Sequence, residues 1–219
     1  MKSLFVKITA LALLVASVFT LAGCKGTPEN NDTPESKDEP YAYEIGKVYA
    51  VIDVKDFGKI TVELCPGDAP ISVENFVELA NRGIYKNSTF HRILSNFMIQ
   101  GGDPADDSIE LTPIVGEFEA NGYVNDIDHV RGVISMARMP TSNDSATSQF
   151  FICNANYPSL NGQYAGFGFV VKGMDVVDAI TTYGMQHTSY QYNGMIFDES
   201  KQPVISDISI VDNRISSAN

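Results

Sequence analysis

Arg92, Gln100 and Gln149 are three polar residues that fall among large apolar neighbours in this chain of 219 residues: Phe97 and Met98 lie between the first two, and Phe151 follows the third. A guanidinium stays protonated at any working pH and presents several donors in a fixed plane, while an amide offers both a donor and an acceptor. Such a set can donate to a developing acceptor without giving up a proton. Each residue also has a plainer reading. Arg92, between His91 and Ile93, reads alone as a surface charge on a strand, and Phe97, Met98 and Phe151 read alone as core. His91, His129 and His187 show no metal-ligand spacing, so no metal is expected.

The elements that must position these residues are mostly short strands. Val48 to Val54 and Lys59 to Leu64 alternate as β-rich runs around Lys55-Asp56-Phe57-Gly58, which reads as a hairpin. Pro70 to Arg82 repeats Val73, Phe76, Val77 and Ala80 at helical spacing, with Pro70 suited to a first turn and Gly83 to a stop. Apolar runs follow at 97–100, 133–137, 149–153 and 167–171. Met174 to Thr182 is a second helix, with Met174, Val177 and Ile180 on one face, and Val204 to Val211 is a closing strand. Many short strands, two helices and no repeat predict a mainly β chain, a closed barrel or a sandwich with helical lids. Tyr183 to Pro203 fits no motif.

Phe90-His91-Arg92-Ile93, then Phe97-Met98-Ile99-Gln100-Gly101-Gly102-Asp103, form one block. Gly116-Glu117-Phe118, Gly132 to Ala137, Ser148 to Ile152 and Gly173 to Asp178 follow in order. Together, from about Lys47 to Val211, they resemble the cyclophilins. The resemblance implies a closed eight-stranded antiparallel β-barrel capped by two α-helices, with a shallow proline-binding groove on its outside. It implies peptidyl-prolyl cis-trans isomerase activity on proline-containing polypeptides, with no cofactor. By the same resemblance Arg92 is the catalytic arginine, with Gln100 beside it. Phe97, Met98, Phe151 and Leu160 hold the proline ring, and Gln149, Ala137 and Arg138 meet the substrate backbone. Ser159 stands where animal cyclophilins carry tryptophan, which opens that side of the groove. Tyr164 replaces a frequent histidine and is kept as a groove residue, and Arg138 replaces an asparagine. A bond rotation needs no nucleophile, so Ser135, Ser148 and Cys153 read as structural and His91 as packing.

The first residues are an address. Lys2 and Lys7 precede an apolar stretch from Ile8 to Thr20, the layout of a signal peptide and shorter than the roughly 20 residues a bilayer span needs. Leu21-Ala22-Gly23-Cys24 resembles the lipobox of bacterial lipoproteins, which implies lipidation of Cys24 and a place on the extracytoplasmic face of a cell membrane. The expected divisions are a signal peptide at 1–23, the lipidated Cys24 with an acidic tether at 24–46, the isomerase domain at 47–213 and a tail at 214–219. The tether is almost devoid of aliphatics and cannot bury enough to fold. A formal charge of -12 with no basic block argues against nucleic-acid binding. The protein is expected to act as a monomer. Cys65 and Cys153 could bridge only if their Cα atoms came within about 7 Å, which sequence leaves open, and two free thiols are the preferred reading. A chaperone that grips proline segments without turnover is the rival function. A solute-binding lipoprotein is disfavoured by the lack of a two-lobed βα pattern.

Overall fold

The computed structural model describes residues 42–188 and 192–213. The signal segment, Cys24, most of the acidic tether and the tail at 214–219 lie outside the described residues. The chain opens on the expected hairpin. Strand β1 (Val48–Val54) pairs antiparallel with β2 (Gly58–Leu64), from Val48 against Leu64 to Val54 against Gly58. The turn between them places Asp56 at φ 67° and lets Phe57 N donate to Val54 O at 3.1 Å.

Helix α1 (Pro70–Asn81) buries Val73, Phe76, Leu79 and Ala80, a stripe at the spacing that brings i, i+3 and i+4 onto one face. Its start carries no local side-chain cap: Ala69 precedes Pro70 and offers none. The missing acceptor comes from far along the chain. The Glu117 carboxylate, only 2% exposed, accepts from Ile71 N at 2.9 Å and from Ser72 N and Ser72 Oγ, both at 2.7 Å. A carboxylate at this end meets both the orphan N–H groups and the positive end of the helix dipole.

The remaining elements are β3 (Phe90–Leu94), β4 (Met98–Gly101), β5 (Val133–Met136), β6 (Phe150–Cys153), β7 (Gly166–Lys172), α2 (Met174–Met185) and β8 (Ile205–Asp212). The strands form one antiparallel sheet in the order β3-β4-β6-β5-β7-β2-β1-β8. The sheet curls into an open half-barrel, which corrects the closed barrel expected from the sequence. Its outer strands touch at the isolated bridge Thr89↔Val204, where Phe90 N donates to Pro203 O at 2.9 Å and Ile205 N to Ser88 O at 2.8 Å. Beyond that bridge β8 follows β1, while β3 runs on beside residues 194–196 instead, so no ladder seals the seam.

The core fills the concave side. Phe76 of α1 meets Tyr85, Phe150 and Phe167 at ring separations of 5.1, 5.5 and 5.2 Å. Helix α1 lies against β8 and β7, and α2 against β3, β2 and β4. Gly184 lets α2 come that close: a Cβ there would sit 2.5 Å from Ile93 Cδ1. Residues 43–46, assigned by sequence to the tether, make hydrogen bonds on the domain. Gly46 N donates to Asn213 O at 2.8 Å and Glu44 N to the Tyr49 hydroxyl at 3.2 Å. The two thiols differ from expectation. Cys153 is free and buried, and burial pushes its pKa up to about 12. Cys65 is buried and, unlike Cys153, is not free, which corrects the expected pair of free thiols.

Replacing Glu117 by alanine strips three donors at the α1 start of their acceptor. The expected cost is about 2–4 kcal/mol in denaturant unfolding, with a smaller loss for Glu117→Gln, which keeps one carbonyl acceptor.

Candidate active site

Side chains of a strand alternate between faces, and residues paired across neighbouring strands share a face. In the ladder β3-β4-β6-β5, Ile93, Ile99, Ile152 and Ile134 pair in one row, and all four are buried in the core at 1% exposure or less. The adjacent row is Arg92, Gln100, Phe151 and Ser135. Alternation therefore turns this second row to the convex face, and the sequence-predicted polar and apolar residues meet there.

Met98, Phe151, Cys153 and Leu160 form an apolar cluster separate from the main core, with Leu94, Phe97, Ala137 and Tyr164 packed around it half-buried. Phe97 lies tilted against Tyr157 with ring centres 4.3 Å apart, and Tyr164 meets the Phe151 ring edge-on at 5.8 Å. Leu160 arrives on a short 3-10 turn, Pro158–Leu160. Ser159, at the position of the absent indole, is exposed.

Arg92 stands at the border of this cluster, its guanidinium carbon 5.9 Å from the Phe97 ring centre. Nη1 donates to Gln100 Oε1 at 2.9 Å, and Gln100 Nε2 donates to Gln149 Oε1 at 2.9 Å. Nε donates to Asn193 O, also at 2.9 Å. Two fixed bonds orient the guanidinium plane and leave Nη2 without a protein hydrogen bond among the described residues. Burial lowers the Arg92 pKa from its ordinary value and the neighbouring Tyr164 raises it in part, yet a guanidinium remains cationic at any working pH.

Two supports of this face were not legible in the sequence. The first is the segment that fitted no motif. Residues 193–196 run along the outer edge of β3: Ile93 N donates to Gly194 O at 2.8 Å, Ile196 N to His91 O at 2.9 Å, and Arg92 bridges Met195. Asn193 and Gly194 take φ values of 54° and 80°, and a Cβ on Gly194 would lie 2.6 Å from Ile93 O. The Asn-Gly dipeptide was the only available signal, and it marks a turn without saying what the turn touches. The second is His129, 1% exposed, stacked behind Phe151 at 6.1 Å and 22°. Its Nε2 lies 3.1 Å from Ser135 Oγ, and its Nδ1 lies 3.3 Å from Asn161 Oδ1. Because that oxygen can only accept, Nδ1 carries the proton and Nε2 accepts from Ser135.

Arg138 follows Ala137, whose N donates to Gln149 O at 2.9 Å. The Arg138 guanidinium lies over the rings of Tyr164 at 4.7 Å and Phe118 at 5.1 Å. The structure thus brings together Arg92, Gln100, Gln149, Phe97, Met98, Phe151, Leu160, Ala137, Tyr164 and Arg138. Among the described residues no group of three or more His, Cys, Asp or Glu side chains is arranged to hold a metal ion.

Burial lowers the His129 pKa to about 4, against partial opposition from Asn161 and Asp128. Between the unfolded value near 6.5 and about 4, the unfolded chain binds the proton first, so stability falls as pH falls through that window. The loss is on the order of 3 kcal/mol, and His91, also lowered by burial, adds to it with the same sign. Thermal melts between pH 7 and 4 are expected to show this decline, and His129→Gln should flatten it.

The model of the cyclophilin type peptidyl-prolyl cis-trans isomerase/CLD family matches residues 49–210. A peptidyl-prolyl cis-trans isomerase of Acinetobacter baylyi is 45% identical over 144 residues, which cover 59% of this chain and 73% of that protein. Peptidyl-prolyl cis-trans isomerase A of Dickeya dadantii is 45% identical over 131 residues, covering 57% and 66%. The crystal structure of a Cryptosporidium parvum cyclophilin type peptidyl-prolyl cis-trans isomerase, in the presence of the dipeptide Ala-Pro, superposes with a TM-score of 0.62 at 27% identity. That match covers 75% of this chain and 99% of the other. With the family model spanning nearly all of the sheet and both helices, this chain belongs to the cyclophilin-type peptidyl-prolyl cis-trans isomerases.

Proposed function

We propose that this isomerase works outside the cytoplasm, tethered by a lipid on Cys24, and that Arg92 drives the reaction by stabilising the half-rotated Xaa-Pro bond. Rotation about such a bond is slow because the nitrogen lone pair is delocalised into the carbonyl; for a peptide bond in general the barrier is about 18–20 kcal/mol. In the twisted transition state the delocalisation is lost, and the nitrogen becomes a better acceptor than in either planar form. A donor aimed at it acts selectively on the transition state. The observation that carries this reading is the double anchorage of Arg92 on Gln100 Oε1 and Asn193 O, which leaves the Nη2 donors oriented and unspent beside the apolar cluster.

The other residues have complementary roles in the same reading. Phe97, Met98, Phe151 and Leu160 grip the proline ring by apolar contact, with Tyr164 closing one side. Gln100 orients Arg92, and Gln149, Ala137 and Arg138 meet the peptide backbone. No proton moves and no covalent bond forms. Each tenfold gain in rate requires about 1.4 kcal/mol off the barrier, a scale within reach of one charged hydrogen bond plus a rigid grip. Clients are proline-containing polypeptides folding at the envelope, and the enzyme acts as a monomer.

Two measurements test this reading. Arg92→Ala is expected to lower kcat/KM on a proline tetrapeptide by at least a hundredfold while leaving the circular dichroism spectrum unchanged; wild-type turnover by that variant would overturn the mechanism. Mass spectrometry of the membrane-extracted protein is expected to show a chain beginning at Cys24 and carrying acyl mass.

A further inference from the structure

We propose that Arg138 is a specificity-determining residue, selecting peptides that carry a carboxylate within two residues of the bound proline. The proposal rests on the groove reading above and adds the substrate class. Arg138 is half-buried and held at several points. Its Nε donates to Gln163 O and its Nη1 to Met139 O, both at 3.1 Å, and its plane lies over Tyr164 and Phe118. Nη2 has no protein hydrogen bond among the described residues. The ordering of this long side chain is already complete before a ligand arrives, so a partner carboxylate meets a fixed donor.

Tyr164 is the single ring between Arg138 and Phe151, the floor of the apolar cluster. Arg92 lies on β3 and Arg138 just past β5, three strand spacings apart across β4 and β6, or about 14 Å. An extended peptide advances about 3.3 Å per residue, so two residues from a proline facing Arg92 cover about 7 Å of that distance, and the lengths of a glutamate side chain and of Arg138 span the rest. Among the described residues neither arginine has a carboxylate at ion-pair distance; the ion pairs use Lys47, Lys59, Arg82 and Arg131 instead. In a chain of formal charge -12, two unpaired cations flank the groove. A clamp with only a structural duty between residues 139 and 163 would not need the free donor.

The test uses the full-length protein and two acetylated tetrapeptide series, Ala-Xaa-Pro-Phe and Xaa-Ala-Pro-Phe, each with Glu, Gln or Lys at Xaa, at 20 and 500 mM salt. At low salt at least one Glu peptide is expected to exceed its Gln counterpart by about threefold and the Lys peptide by about tenfold in kcat/KM, chiefly through KM. High salt should shrink both ratios, and Arg138→Gln should bring them close to one. Arg138→Lys, which keeps the charge without the stacked fork, should fall between and serves if the glutamine variant does not fold. Equal rates for all charges in the wild type, or ratios unchanged by Arg138→Gln, would overturn the proposal. Failure to turn over any peptide, Gln included, would instead sink the groove reading and this proposal with it.

Discussion

The register of the ladder β3-β4-β6-β5 sets both the core and the site. It places Ile93, Ile99, Ile152 and Ile134 in one buried row and Arg92, Gln100, Phe151 and Ser135 in the next. Because the side-chain period is two, a slip of one residue in β4 would drive Gln100 into the core and expel Ile99. The cost of burying an unpaired amide and exposing an isoleucine fixes the register, so hydrophobic burial on one face positions the chemistry on the other.

The convex face is held by what stands behind and beside it. His129, neutral at physiological pH, fills the space under Phe151 and satisfies Ser135, so the ring that floors the apolar cluster has a buried polar pair at its back. Residues 193–196 cover the outer edge of β3, which would otherwise present unpaired N–H and C=O groups, and their carbonyl at 193 anchors Arg92. The Arg92–Gln100–Gln149 chain then links β3, β4 and the start of β6 through side-chain bonds. These contacts hold the Arg92 guanidinium in place, as the proposed differential hydrogen bond requires.

Much of the fold was legible because its signals are local. The β1–β2 hairpin reads from alternation around Lys55 to Gly58, and α1 from its apolar spacing with Pro70 and Gly83 at the ends. Helix α2 reached Met185, past the expected Thr182, because Gly184 packs against Ile93 and tertiary contact extends a helix that propensity alone would end. The open seam was not legible: whether β3 and β8 join depends on where each runs after Thr89↔Val204. The cap on α1 was equally hidden, since Glu117 lies 45 residues beyond the Ser72 it satisfies.

The sequence by itself determined the residue types, their order and the alternation that separates core from groove, because these depend on side-chain chemistry and a period of two. The family likeness rested on the same blocks. Only the tertiary structure decided how those residues meet: that Asn193 O orients Arg92, that His129 backs Phe151, and that Arg138 is clamped with a donor to spare. Contacts between segments about 20 to 100 residues apart are set by how the sheet curls and where loops return, and neither is written in any local pattern.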